Sequence, residues 1–107
     1  MAHIEISYAG VARSDTLDER VHSALEHSVG HMFDRVTRIE VHIKDDNGPD
    51  KHGQNDKRCV MEARPASSQP IAVEDTGADL YEVVRGAAEK LGKVLSKKFE
   101  KADDTRR

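Results

Sequence analysis

Two periods of hydrophobic recurrence divide this chain. Over residues 3–8, HIEISY, apolar and polar side chains alternate. Ile4, Ile6 and Tyr8 point one way and His3, Glu5 and Ser7 the other, as in a half-buried strand, which Gly10 ends. The period then lengthens. Leu17, Val21, Ala24, Leu25, Ser28 and Met32 share one face of a helix that Ser14 or Asp15 can cap and that runs to about Phe33 or Asp34. Gly30 weakens that helix by about 1 kcal/mol relative to Ala. Alternation returns three times. In VTRIEVHIK, 36–44, the inward residues are Ile39, Val41 and Ile43; in KRCVMEAR, 57–64, they are Cys59, Met61 and Ala63; in PIAVE, 70–74, they are Ile71 and Val73. The stretch 45–56, DDNGPDKHGQND, has no apolar residue and reads as a long mobile hairpin loop. Pro65 and Pro70 bracket the last turn between strands, which limits pairing there and points to a sheet edge.

The final segment, Thr76 to Lys101, reads as one long amphipathic helix capped by Thr76. Leu80, Val84, Ala87, Leu91, Leu95 and Phe99 recur at steps of three and four and form its apolar stripe. Lys90, Lys93, Lys97 and Lys101 recur at the same steps, and at roughly 100° per residue they form a second stripe about 120° round from the first. Gly86 falls in line with those lysines, one turn ahead, as bare backbone. After Lys101 the tail ADDTRR frays.

The order of elements is thus β-α-β-β-β-α. It predicts an α+β two-layer sandwich, with a four-stranded sheet carrying both helices on one face. The helix between the first two strands makes them parallel neighbours with a right-handed crossover, and the remaining strands follow as antiparallel hairpins. Ile4, Ile6, Ile39, Val41, Ile43, Met61 and Val73 should lie under Leu80, Val84, Leu91 and Leu95. One domain is expected over 1–102, with 103–107 as the tail. Side-by-side helices also let the lysine stripe and a flank formed by Arg20, His27 and His31 border a shared groove.

Composition sharpens the picture. In 107 residues, 35% are charged and only 4% aromatic, so Ile, Val, Leu, Met and Ala must build the core. A single cysteine excludes an internal disulfide framework and fits a reducing compartment. No apolar run approaches the eighteen or so residues of a membrane span, and MAHIEISYAG has no signal-peptide pattern, so a cytoplasmic protein is expected. The net charge is −3, yet Lys90 to Lys101 holds five lysines against one acid, Glu100. Such a run is a solvated face complementing the helix dipole, or else the electrostatic footprint of a polyanion site. With so few aromatics to stack unpaired bases, sequence-specific readout is not expected; lysines on a rigid helix suit shape and phosphate recognition.

Other candidate chemistry is sparse. His27 and His31 stand four residues apart, a spacing that can bind metal, but no third ligand is evident. They read as surface histidines whose phosphate contacts strengthen on protonation. Cys59 reads as a small apolar filler. Ser14-Asp15 and Ser67-Ser68 read as cap and turn residues. No phosphate loop, nucleophile elbow or carboxylate pair is present, so neither an enzyme nor a cofactor is expected.

The ordered set FDRV at 33–36, DLY at 79–81 and EKLGKVLSKKFEK at 89–101, within the order β-α-β-β-β-α, resembles the ribosome hibernation-promoting factor and ribosome-associated inhibitor family, also called sigma-54 modulation proteins. The resemblance covers nearly the whole chain. It implies a fold like that of a double-stranded-RNA-binding domain. It also implies a stress-phase inhibitor of translation that binds rRNA in the decoding channel of the small subunit and blocks mRNA and tRNA sterically; a monomer off the ribosome is expected. Lys90, Lys93, Lys97 and Lys101 match basic positions of the family's last helix, Lys98 adjoins them, Gly86 matches a glycine, and Tyr81 matches a tyrosine for which a packing role is expected. The first helix departs from the family in carrying His22, His27 and His31 where several lysines are common. With Arg107 as its last residue, the chain is expected to be a short member, without the second domain that long members use to pair ribosomes. The alternative is a protein-interaction module that modulates sigma-54-dependent transcription, its lysines meeting an acidic protein surface.

Overall fold

The computed structural model describes residues 2–45, 56–66 and 68–105. Apart from its ends at Asp45 and Asp56, the hairpin loop read at 45–56 lies outside the described residues, as do Ser67 and the last two arginines. The elements are β1 (His3–Ala9), α1 (Asp15–Val29), a 3-10 turn (Gly30–Arg35), β2 (Val36–Asp45), β3 (Lys57–Pro65), β4 (Ile71–Gly77) and α2 (Leu80–Thr105). The four strands form one sheet in the order β1-β2-β3-β4. β1 runs parallel to β2, with Ile4 beside Ile39 and Ile6 beside Val41. β2 and β3 are antiparallel, as are β3 and β4. This is the α+β sandwich that the hydrophobic pattern predicts.

Three element boundaries differ from the sequence reading. Ser14 does cap α1, its Oγ accepting from the Leu17 N–H at 3.3 Å, but regular helix stops at Val29. The chain tightens into 3-10 winding at Gly30, where helix propensity is weakest, and still delivers Met32 to the core. Thr76 does not cap α2. It pairs with Arg58 in the β3–β4 ladder, which extends β4 through Gly77. Asp79 caps instead, Oδ1 accepting from the Tyr81 N–H at 2.8 Å. At the other end α2 continues to Thr105, past Lys101 and Ala102 where fraying was expected. Arg35 accounts for part of that extension: its guanidinium lies 4.1 Å from the Phe99 ring centroid and donates to both Asp103 carboxylate oxygens at 3.2 and 3.3 Å.

The core lies between the sheet and the helices. Ile39, Val41 and Ile43 of β2 and Cys59, Met61 and Ala63 of β3 are buried under Val84, Ala87, Leu91 and Leu95 of α2 and Val21, Leu25 and Val29 of α1. Val83 and Ala88 widen the buried face of α2 beyond the stripe read from sequence. Ile4, Ile6, Ile71 and Val73 are only half-buried, because β1 and β4 are the edges of the sheet. Leu80, at the start of α2, is half-buried as well. The helices approach closely at Gly92, where a Cβ would stand 2.6 Å from the Ser28 carbonyl oxygen.

The outer sheet face is polar and consumes its own charges. Arg38 pairs with Glu5 and Glu40, Arg64 with Glu40 and Glu62, and Arg58 with Glu74. Such exposed pairs contribute little to stability individually. Their relevance is electrostatic: these arginines are already neutralised locally, and Lys44 is the lysine that this face exposes without an ion pair among the described residues.

Candidate nucleic-acid interface

α1 and α2 lie side by side, and an open groove of ≈ 690 Å³ runs between them, with His27 and Ser28 on one wall and Lys93 and Lys97, together with Glu89 and Glu100, on the other. A narrower cavity of ≈ 320 Å³ adjoins it, sharing His27, Ser28 and Glu89 and reaching Arg20, Tyr81 and Arg85. The structure therefore brings Arg20 and His27 of the first helix together with Lys93 and Lys97 of the last. The spacing follows from the fold. Gly92 lets the backbones approach, and Lys93, one residue on, is carried to the rim.

The remaining candidates are distributed differently. Lys90 turns to the opposite flank of α2, where Nζ donates to Asp75 Oδ1 and to the Glu74 carbonyl, both at 2.9 Å. It ties the helix to the edge strand. Gly86 faces the same strand: a Cβ there would collide with the Asp75 carboxylate, so its backbone is covered and does not open onto the groove. Lys101 is exposed farther along α2, and Lys98 is half-buried. His31 sits exposed on the 3-10 turn and lines neither cavity between the helices. The break of α1 at Gly30 separates it from His27. Among the described residues, no group of His, Cys, Asp and Glu could hold a metal ion.

Acids and bases alternate around the groove, and their pairing decides its character. Arg85 bonds Glu82 at 2.6 Å and stands 3.9 Å from Glu89. Lys93, Lys97 and Lys98 have no carboxylate partner among the described residues, and neither has Arg20. Arg20 instead holds its guanidinium 5.3 Å from the centroid of the Tyr81 ring. Tyr81 is 42% exposed, which overturns the packing role expected of it; its neighbours Val83 and Val84 are the ones that pack. Neither Arg85 nor Tyr81 was read from the sequence as part of the groove. Tyr81 stands apart from both stripes and belongs to the flank facing α1, which only the helix pairing identifies. Cys59 is buried, and desolvation, assisted by the Asp75 charge, pushes its thiol up to about 12, so it is a neutral core residue.

The sequence profile of the family described as sigma 54 modulation protein / S30EA ribosomal protein matches residues 4–103. No curated protein matches the chain. Among solved structures, a ribosomal subunit interface protein from Coxiella burnetii aligns with a TM-score of 0.74 at 22% identity, over 92% of this chain and 98% of that one. The N-terminal domain of Protein Y from Thermus thermophilus aligns with a TM-score of 0.69 at 15% identity, over 91% and 98%. At these identities the two structures bear on the fold.

Proposed function

This chain belongs to the sigma 54 modulation protein / S30EA ribosomal protein family, and we propose that it is a ribosome-associated translation inhibitor that docks on small-subunit rRNA through the helical face. The observation that carries this reading is the set of cations without a carboxylate partner among the described residues, Lys93 and Lys97 on the groove wall, Lys98 beside them on α2 and Arg20 in the adjoining cavity, on an acidic chain whose sheet face neutralises its own arginines. A polyanion docking there releases condensed counterions, which gives affinity without base-specific contacts. A rigid two-layer domain held in the decoding channel excludes mRNA and tRNA by volume alone and needs no chemistry. Lys90 is a structural tie on this reading, and its neutralisation by Asp75 removes it from the phosphate-binding set.

Lys93→Glu combined with Lys97→Glu tests the reading. Both side chains are exposed and unpaired, so the variant should fold, with stability shifted by less than about 1 kcal/mol. It should lose co-sedimentation with small subunits and inhibition of cell-free translation. Lys93→Ala alone should weaken binding and make the salt dependence shallower by about one counterion. A folded double-Glu variant that still sediments with small subunits and still inhibits would refute the mechanism. Nuclease treatment separates the transcriptional alternative, because binding to an acidic protein surface survives degradation of rRNA.

A further inference from the structure

We propose that the cavity between Arg20 and Tyr81 receives a single unpaired nucleotide, with its base stacked on the Tyr81 ring and its phosphate facing Arg20. The inference rests on the rRNA-docking reading and adds a second kind of contact to it. Four observations carry it. Tyr81 and Val94 are the exposed large hydrophobics among the described residues, at 42% and 40%, in a chain that is only 4% aromatic. The backbone that carries the ring is fixed: the Tyr81 N–H is held by the Asp79 cap in the first turn of α2, next to the buried Val83 and Val84. One side of the ring already carries a guanidinium, an arrangement that a planar base can share or replace. Finally, the two carboxylates on this wall, Glu82 and Glu89, both lie against Arg85, at 2.6 and 3.9 Å, and the cavity lining is formally neutral, so Arg20 is its one cation without a carboxylate partner among the described residues. A planar π-face beside an unpaired cation, in a cavity of ≈ 320 Å³ continuous with the Lys93–Lys97 groove, fits a nucleotide better than an apolar side chain or an acidic peptide.

The two contact types separate experimentally. Phosphate contacts set the slope of affinity against salt, whereas stacking changes affinity with little effect on that slope. The test uses the full chain, purified small subunits and the variants Tyr81→Phe and Tyr81→Leu, with binding measured across a salt series. Tyr81→Phe keeps the ring and should bind within about twofold of the parent. Tyr81→Leu should bind about 5- to 100-fold more weakly, as expected for one stacked base, with an unchanged slope. Irradiation of the parent complex at short ultraviolet wavelength should give a nucleotide adduct on Tyr81. Parental affinity in Tyr81→Leu overturns the proposal while leaving the lysine reading intact. So does an adduct of Tyr81 to a ribosomal protein in place of a nucleotide. A parent chain that fails to bind small subunits overturns both readings. If Tyr81→Leu proves unstable, the adduct and the Tyr81→Phe affinity decide: loss in Tyr81→Phe without an adduct means that the hydroxyl, not the ring, makes the contact.

Discussion

Cys59 and Tyr8 are each held in the neutral form. Burial pushes the Cys59 thiol from its ordinary 9.0 up to about 12, with Asp75 adding to the effect. Burial, together with the hydrogen bond that its hydroxyl donates to Asp18, pushes Tyr8 from 10.0 up to about 12. Both values are raised relative to the unfolded chain, so above pH 9 the folded state binds more protons. The stabilisation they provide is therefore complete below pH 9 and is lost as pH rises from 9 towards 12. Urea midpoints measured at pH 8 and pH 10.5 should show that fall, and Tyr8→Phe should diminish it. An equal fall in Tyr8→Phe would assign the alkaline sensitivity elsewhere.

The two helices depend on glycine in opposite ways. Gly92 is buried where α2 meets α1, and a methyl group there presses on the Ser28 carbonyl, which is backbone and cannot rotate away. Gly92→Ala should separate the helices and cost about 1–3 kcal/mol, read as a lowered Tm. Gly30 has φ −51 and ψ −40, ordinary right-handed values, and a Cβ there meets only Glu26 Cγ at 3.5 Å. Gly30→Ala should therefore be tolerated, or stabilise by about 0.4–1 kcal/mol through the unfolded chain. The pair is informative together. If both substitutions cost the same, close helix approach is not what Gly92 provides, and the groove walls are not set by it.

The whole molecule has a polar sheet face, an apolar interior and a helical rim on which Lys93 and Lys97 have no carboxylate partner among the described residues. α2 holds the parts together. It packs Val84, Ala87, Leu91 and Leu95 on the sheet, ties its flank to β4 through Lys90 and Asp75, and is clasped near its end by Arg35 against Phe99 and Asp103. Leu91 is fully buried at the centre of that span. Leu91→Ala should cost about 2–5 kcal/mol and reduce small-subunit binding only as far as it unfolds the chain, as denaturation monitored by circular dichroism would show. A Leu91→Ala variant that melts like the parent would remove the core assignment.

The sequence by itself determined the element order, the inward set of each strand and the apolar stripe of α2, because side-chain period is a local property of strands and helices. Ile39, Val41, Ile43, Met61, Leu91 and Leu95 are legible in this way. It also marked Lys93 and Lys97 as cations on a face away from the core. Only the tertiary structure decided which cations remain unpaired. Lys90 and Lys93 share one stripe on a helical wheel, yet the edge strand β4 lies against one side of that stripe and α1 against the other. Asp75 therefore neutralises Lys90, while Lys93 looks into the groove. The same neighbour covers Gly86. The cap moved from Thr76 to Asp79 because β3 claimed the Thr76 backbone, a pairing between residues far apart in sequence. Tyr81 became a surface residue for the same reason: the fate of a helix flank depends on which element packs beside it, and no local period records that.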